Sequence, residues 1–171
     1  MEPTVWRNLI GHFATGVGII TVRTAHSDLA GCTVNSITSI STHPPLLLCS
    51  LQNDSDTLHA IQETSTFAVH ILSQTQKDLA DLFASDRLDK FAHISYHFST
   101  QGTPLLDGCV AYMEGRVAQI LPAADHQLIL AEIQQGAVNP EEAPLMFYQS
   151  RYWQPRRRRF TQVRALKAVR L

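Results

Sequence analysis

Apolar and polar positions along the chain fall into short, mostly strand-like periods. Val5, Leu9 and Phe13 recur at every fourth residue with Trp6 and Ile10 beside them, which predicts an amphipathic helix over residues 3–13. Pro3 and Thr4 suit its start. Gly16 and Gly18 then lead into Val17-Ile19-Ile20-Val22, a β-rich strand. His26-Ser27-Asp28 reads as a hairpin turn into a second strand over residues 30–41. Pro44-Pro45 opens a third, apolar strand from Leu46 to Leu51, and prolines at a strand start do little harm to the ladder.

After the polar stretch Gln52–Thr57, Leu58 and Ile61 mark one face of a helix. Thr66–Leu72 is a strand, and Ser73 or Thr75 is placed to cap a helix carrying Leu79, Leu82 and Phe83. Residues 84–107 read as loop. Two long strands follow, Cys109–Leu121 and His126–Val138, then a short one at Leu145–Tyr148. The sum is six or seven strands with two or three helices. The strands follow one another in hairpins and meanders, so a mainly β domain with α elements (α+β), closed as a barrel with helices at its ends, fits better than a doubly wound sheet.

The second strand is unusual. Between Gly31 and Ser41, Val34, Ile37 and Ile40 are interleaved with Thr33, Asn35, Ser36, Thr38, Ser39 and Ser41. Short hydrogen-bonding groups replace the bulk that a sheet face normally carries. Such a segment suits either the wall of a site for a flat polar ligand or an edge strand with one solvated face.

At 171 residues, with 44% hydrophobic and 17% charged residues, the composition is that of one globular domain. No apolar run approaches membrane-helix length, and no basic segment followed by an apolar core opens the chain. Cys32, Cys49 and Cys109 match neither a disulfide framework nor a CxxC pair, which makes a cytoplasmic protein the expectation. The net charge of −1 conceals an asymmetry: all 15 acidic residues lie within residues 1–150, and eight of the 14 basic ones lie within residues 151–171. The domain is therefore taken as residues 1–153, followed by a basic tail, 154–171, that includes Arg156–Arg159 and has no assigned role. Phe160 is the tail's one aromatic residue, which gives bases little to stack on; nucleic acid is not expected as a partner.

Most familiar chemistries have no starting point. Gly16-Val17-Gly18 is only a fragment of GxGxxG and precedes its strand, whereas a dinucleotide turn follows one. There is no P-loop, HExxH or GxSxG, and the eight histidines form no metal set. The loop Ser50–Thr57 is more suggestive. It runs from a strand end into a helix start, where free N–H groups and the helix dipole favour a phosphate, and Ser55 and Thr57 add hydroxyls. Ser55 or Asp56 serving simply as a helix cap is the alternative.

These segments together resemble the flavin reductase family, with the FMN-binding split-barrel fold, the reductase components of two-component flavin-dependent monooxygenases. The resemblance runs in order through Trp6–Val17, Gly31–Ser41 with Pro44-Pro45-Leu46, Asp78–Ala80, Phe83–Ser85, Asp89–Phe91, Pro104–Gly108, Asp125-His126, Pro144–Tyr148 and Arg151-Tyr152. It implies that Thr33, Val34, Asn35 and Ser36 line the isoalloxazine, with Ser50, Leu51 and Gln52 against the same rings. It implies that Ser55 and Thr57 hold the phosphate, and that Phe83, Ala84, Ser85, Lys90 and Phe91 border the ribityl and phosphate end. His126 would stand at the nicotinamide site as the catalytic residue, with Tyr148 and Arg151 near the rim. The implied reaction is hydride transfer from NADH or NADPH to FMN or FAD, in a homodimer that supplies a partner monooxygenase. A flavin-binding carrier or docking module without turnover is the alternative. Hydride transfer is carried by the cofactors, so it requires no side-chain nucleophile. The chain departs from the family pattern at Asn53 and Asp54, where a basic residue often precedes the matching serine, and in the tail beyond Tyr152.

Overall fold

The computed structural model describes residues 1–155. The elements in order are α1 (Pro3–Ile10), β1 (Thr15–Gly16), β2 (Gly18–Arg23), β3 (Leu29–Val34), β4 (Ile37–Thr42), β5 (Pro45–Gln52), α2 (Asp56–Thr64), β6 (Thr66–Ile71), α3 (Lys77–Ala84), β7 (Tyr96–Phe98), β8 (Pro104–Leu106), β9 (Ala111–Ala123), β10 (His126–Val138), β11 (Met146–Tyr148) and β12 (Arg151–Trp153). The basic run Arg156–Arg159 lies outside the described residues.

Seven strands form one antiparallel sheet in the order β3-β2-β6-β9-β10-β5-β4. Its two edges, β3 and β4, are neighbours in sequence yet are not hydrogen-bonded to each other. The expected single strand over 30–41 is therefore two, broken at Asn35-Ser36. The Ser36 hydroxyl ties the break to β5, donating to the Ser50 carbonyl at 2.9 Å and accepting from the Ser50 N–H at 3.3 Å. A long-range contact sets the break, so local periodicity does not reveal it.

Two clusters hold the domain. In the first, Leu58, Ala60 and Ile61 of α2 pack with Ile20, Val34, Leu47, Phe67 and Ile129 of the sheet. In the second, Ala80 and Phe83 of α3 pack with Val17, Ile19, Leu72, Leu106 and Leu145. Gly31 is where α3 meets β3. A Cβ there would lie 2.7 Å from the Ile20 carbonyl and 2.8 Å from the Phe83 ring. Gly31→Val is expected to destabilise the domain by about 1–3 kcal/mol, measured by urea unfolding; an unchanged midpoint would show that α3 yields instead.

Several elements differ from the sequence reading. Among the described residues there are twelve strands, because β1, β7, β8 and β12 are too short to show periodicity and the second strand is split. The hairpin β7–β8 occupies the segment read as loop. Neither Ser73 nor Thr75 caps α3: the cap position is Gln76, and the two hydroxyls bond each other at 3.0 Å. The side-chain carbonyl of Gln76 accepts from the Ser73 N–H at 2.9 Å. Helix α1 buries no residue, and its apolar face stays uncovered.

Candidate functional site

Beside the edge strand β3 and the break after it lies a cleft of about 860 Å³, inside the range for small-molecule sites. It is lined by Thr33, Val34, Asn35 and Ser36 from β3 and the break, and by Ser50, Leu51 and Gln52 from β5. Ser55 and Thr57 come from the start of α2, Phe83, Ala84 and Ser85 from the end of α3, Lys90 and Phe91 from the following loop, and His126 from the start of β10. Tyr148 and Arg151 do not line it. They pair across the β11–β12 hairpin of a separate three-stranded sheet, where Tyr152 packs edge-on against Phe147.

Each wall has a local cause. The edge strand β3 has one side without a partner strand, and all its residues, Leu29–Val34, line the cleft. The Thr33 hydroxyl is already used, donating to the Ala80 carbonyl at 2.7 Å, as is that of Ser36. The Asn35 side chain has no protein partner among the described residues, so its amide remains available to a ligand.

At α2, the Ser55 side chain accepts from the Leu58 N–H at 3.4 Å, a helix cap. The remaining first-turn N–H groups still face outward from the helix start. Lys90 Nζ donates to the carbonyls of Gly31 and Phe83, each at 3.3 Å, and makes no ion pair among the described residues. Two long hydrogen bonds to neutral carbonyls leave an ammonium with its charge uncompensated and one donor to spare. Arg87, also on the cleft, is instead neutralised by a two-pronged bond to Asp89 at 2.8 and 2.7 Å.

His126 is fixed from behind. Its Nδ1 lies 2.8 Å from the Asp125 carboxylate, which can only accept, so the proton sits on Nδ1 and Nε2 is left for another partner. The imidazole in turn holds the Asp125 carboxyl below its ordinary range. Asn53 locks this turn to the β5–α2 loop. Its N–H donates to the Asp125 carbonyl at 3.0 Å, its side-chain amide donates to Ala124, and its side-chain carbonyl accepts from Gln127. The residue standing where a basic one was expected thus ties two walls together.

Sequence reasoning missed other lining groups. Thr24 and Asp28 reach the cleft from the tip of the β2–β3 hairpin, and Asp86, Arg87 and Leu88 from the loop after α3. Turn and loop polarity is their only sequence signal, and it does not distinguish them from solvated positions. Cys32 also lines the cleft, beside the Ser55 and Thr57 side chains, and burial pushes its thiol pKa up. Cys49 lies deeper, pushed up to about 12 by burial.

The residues present fit a flavin nucleotide. One cleft offers an edge strand, a free amide, a helix start and a single uncompensated ammonium.

Residues 10–155 match the flavin reductase like domain. A flavin reductase of Pseudomonas putida is 30% identical over 152 residues, 89% of each chain. The reductase subunit of a flavin-dependent monooxygenase from Mycobacterium tuberculosis is 33% identical over 157 residues, 89% of this chain and 82% of that protein. Against a longer relative from Rhizobium meliloti, 35% identical over 132 residues, the chain spans 42% of that protein's length. The NADH:FAD oxidoreductase of Streptomyces globisporus, solved with NAD and FAD fragments, superposes with a TM-score of 0.87 at 29% identity, over 91% of this chain and 94% of that one. The chain belongs to the flavin reductase-like domain family, and its fold is the split barrel of those reductases.

Proposed function

We propose that this protein is an NAD(P)H-dependent flavin reductase that supplies reduced flavin to a partner monooxygenase. One observation carries the reading: a single cleft gathers His126 and every proposed flavin-contacting residue except Tyr148 and Arg151. The flavin is FMN or FAD and the donor NADH or NADPH. The bound flavin supplies the redox chemistry, accepting a hydride from the nicotinamide.

The chain's own residues bind, orient and shield. The β3 edge and Asn35 hold the ring system, the α2 start and Lys90 hold the phosphate, and Phe83 and Phe91 form an apolar border. His126 positions the nicotinamide through Nε2 while Asp125 fixes its ring. Misplacing reacting groups by an ångström costs up to about 100-fold in rate. His126→Ala is therefore expected to lower turnover about 10- to 100-fold with an unchanged melting temperature. Steady-state oxidation of NADH and NADPH with added flavin measures this; unaltered kinetics would remove His126 from the site.

The assembly is a homodimer in this reading. Val5, Trp6, Leu9, Ile10 and Phe13 are each about half exposed or more (48–70%), which a second copy would cover. Light scattering on the wild type and on Leu9→Glu tests this, with a monomeric wild type as the contrary result. Three free cysteines suit a reducing, cytoplasmic location.

A further inference from the structure

A second cavity, of about 350 Å³, shares Thr24 with the cleft and none of its other lining residues. Its walls come from the β2–β3 turn, the junction of α2 with β6, and the β7–β8 turn. Arg23, Ser27, Thr66, Gln101 and Thr103 give the lining its character. No acidic, aliphatic or aromatic residue lines it, and Arg23 brings its one charge.

Several of these groups have no partner within the protein. The Arg23 guanidinium stands over the Phe98 ring, 5.3 Å from its centroid. It also lies beside Gly102, where a Cβ would be 3.5 Å from Nη1. The ring steadies the cation without using any of its N–H donors. Arg23 makes no ion pair among the described residues. Thr103 is only 3% exposed, yet its hydroxyl makes no hydrogen bond among the described residues. A confined hydroxyl is costly unless something meets it. The equally buried Thr21 hydroxyl shows the usual solution, donating to the Pro104 carbonyl at 2.6 Å.

The surroundings are set and do not oppose an anion. Ser99 Oγ holds the β7–β8 turn, accepting from the N–H groups of Gln101 at 3.1 Å and Thr103 at 3.2 Å. It donates in turn to the buried Glu114 carboxylate at 2.8 Å, whose other oxygen accepts from Gln135. That carboxylate is therefore occupied, and it does not line the cavity. At the end of α2, the Ser65 N–H donates to the Ile61 carbonyl and the Thr64 hydroxyl to that of Ala60, so two terminal carbonyls are already paired.

We propose that this cavity is a binding site for a small polyhydroxylated carboxylate, with the acid group on Arg23 and the hydroxyls on Thr66, Gln101 and Thr103. A single guanidinium matches a monoanion and pairs with a carboxylate through two parallel donors. Neutral hydroxyl and amide walls suit a hydroxylated body, and the lack of apolar walls disfavours a greasy one. The inference is independent of the flavin reading, because only Thr24 is common to the two cavities.

Titration of the purified full chain with gluconate, followed through backbone amide chemical shifts, tests the site. Sorbitol, a neutral polyol, and inorganic phosphate form separate arms. Gluconate is expected to give saturable shifts at Thr24, Ser27, Gln101 and Thr103, and to bind about tenfold or more tightly than sorbitol. Arg23→Gln is expected to weaken gluconate about tenfold, and Thr103→Val, which removes the hydroxyl at constant size, about threefold. Both variants are expected to keep the cooperative melting of the wild type. Absence of saturable binding would overturn the inference, as would shifts confined to the cleft. Sorbitol binding as tightly as gluconate, or phosphate binding more tightly, would overturn it too. Gluconate affinity unaltered in both variants would place the ligand elsewhere.

Discussion

Lys90→Met is expected to raise the flavin dissociation constant about 10- to 100-fold, the loss of one charge-assisted hydrogen bond worth about 1.5–3 kcal/mol. The size follows from the charge distribution along the cleft. Asp28, Asp54, Asp56 and Asp86 all line it, and Arg87 is neutralised by Asp89. Lys90 alone brings a lysine or arginine charge not already paired within the described residues. A phosphate near α2 depends on that ammonium and on the helix start to offset the carboxylates. Methionine keeps an unbranched apolar stem and removes only the charged donor. Quenching of flavin fluorescence measures the affinity, and Lys90→Arg is expected to restore most of it. Equal binding by wild type and Lys90→Met would place the phosphate elsewhere.

The second large effect is on stability and concerns His70. This side chain is fully buried in β6 and bridges two elements. Its Nδ1 donates to the Ile19 carbonyl of β2 at 3.1 Å, and its Nε2 accepts from the Leu106 N–H of β8 at 3.1 Å. The bond from Leu106 requires the neutral ring, because a protonated Nε2 cannot accept. Burial is the main cause that lowers its pKa from 6.5 to about 4, and the nearby His97 adds to it.

The unfolded chain therefore binds this proton more readily than the folded one. The stabilising contribution is complete above pH 6.5 and is lost as pH falls towards about 4, amounting to about 3 kcal/mol. His70→Leu strands the buried Leu106 N–H and is expected to cost about 1–3 kcal/mol at neutral pH. It is also expected to flatten the pH dependence over that window. Urea unfolding of both proteins between pH 4 and 8 measures this; parallel curves would remove His70 as the source.

The sequence foretold those parts of the molecule that local chemistry determines. Ser55 caps α2 because a short hydroxyl side chain precedes a helical period, and Ser27 turns the β2–β3 hairpin with φ of 73° in a polar tripeptide. Strands β6, β9 and β10 carry apolar alternation long enough to read. The split between β3 and β4 was hidden because Val34, Ile37 and Ile40 continue across it, and its cause, the Ser36–Ser50 bond, is distant in sequence. The hairpin β7–β8 has three-residue strands, shorter than any usable period.

The site divides in the same way. The resemblance brought β3, β5, α2 and His126 together, and they do share one cleft. It also placed Tyr148 and Arg151 at the rim, whereas β11 and β12 hold them in a separate sheet. Arg87 and Leu88 carry no motif; only the loop from Phe83 to Lys90 reveals that they face the cavity.

In this protein one cleft is proposed to hold a flavin where a nicotinamide can reduce it. Anaerobic titration with NADH and NADPH in the presence of FMN or FAD, followed at the flavin absorbance, tests that claim most directly. Bleaching of one flavin per nicotinamide, far faster than in protein-free solution, is the predicted result. Flavin that binds yet bleaches no faster than it does free in solution would contradict it.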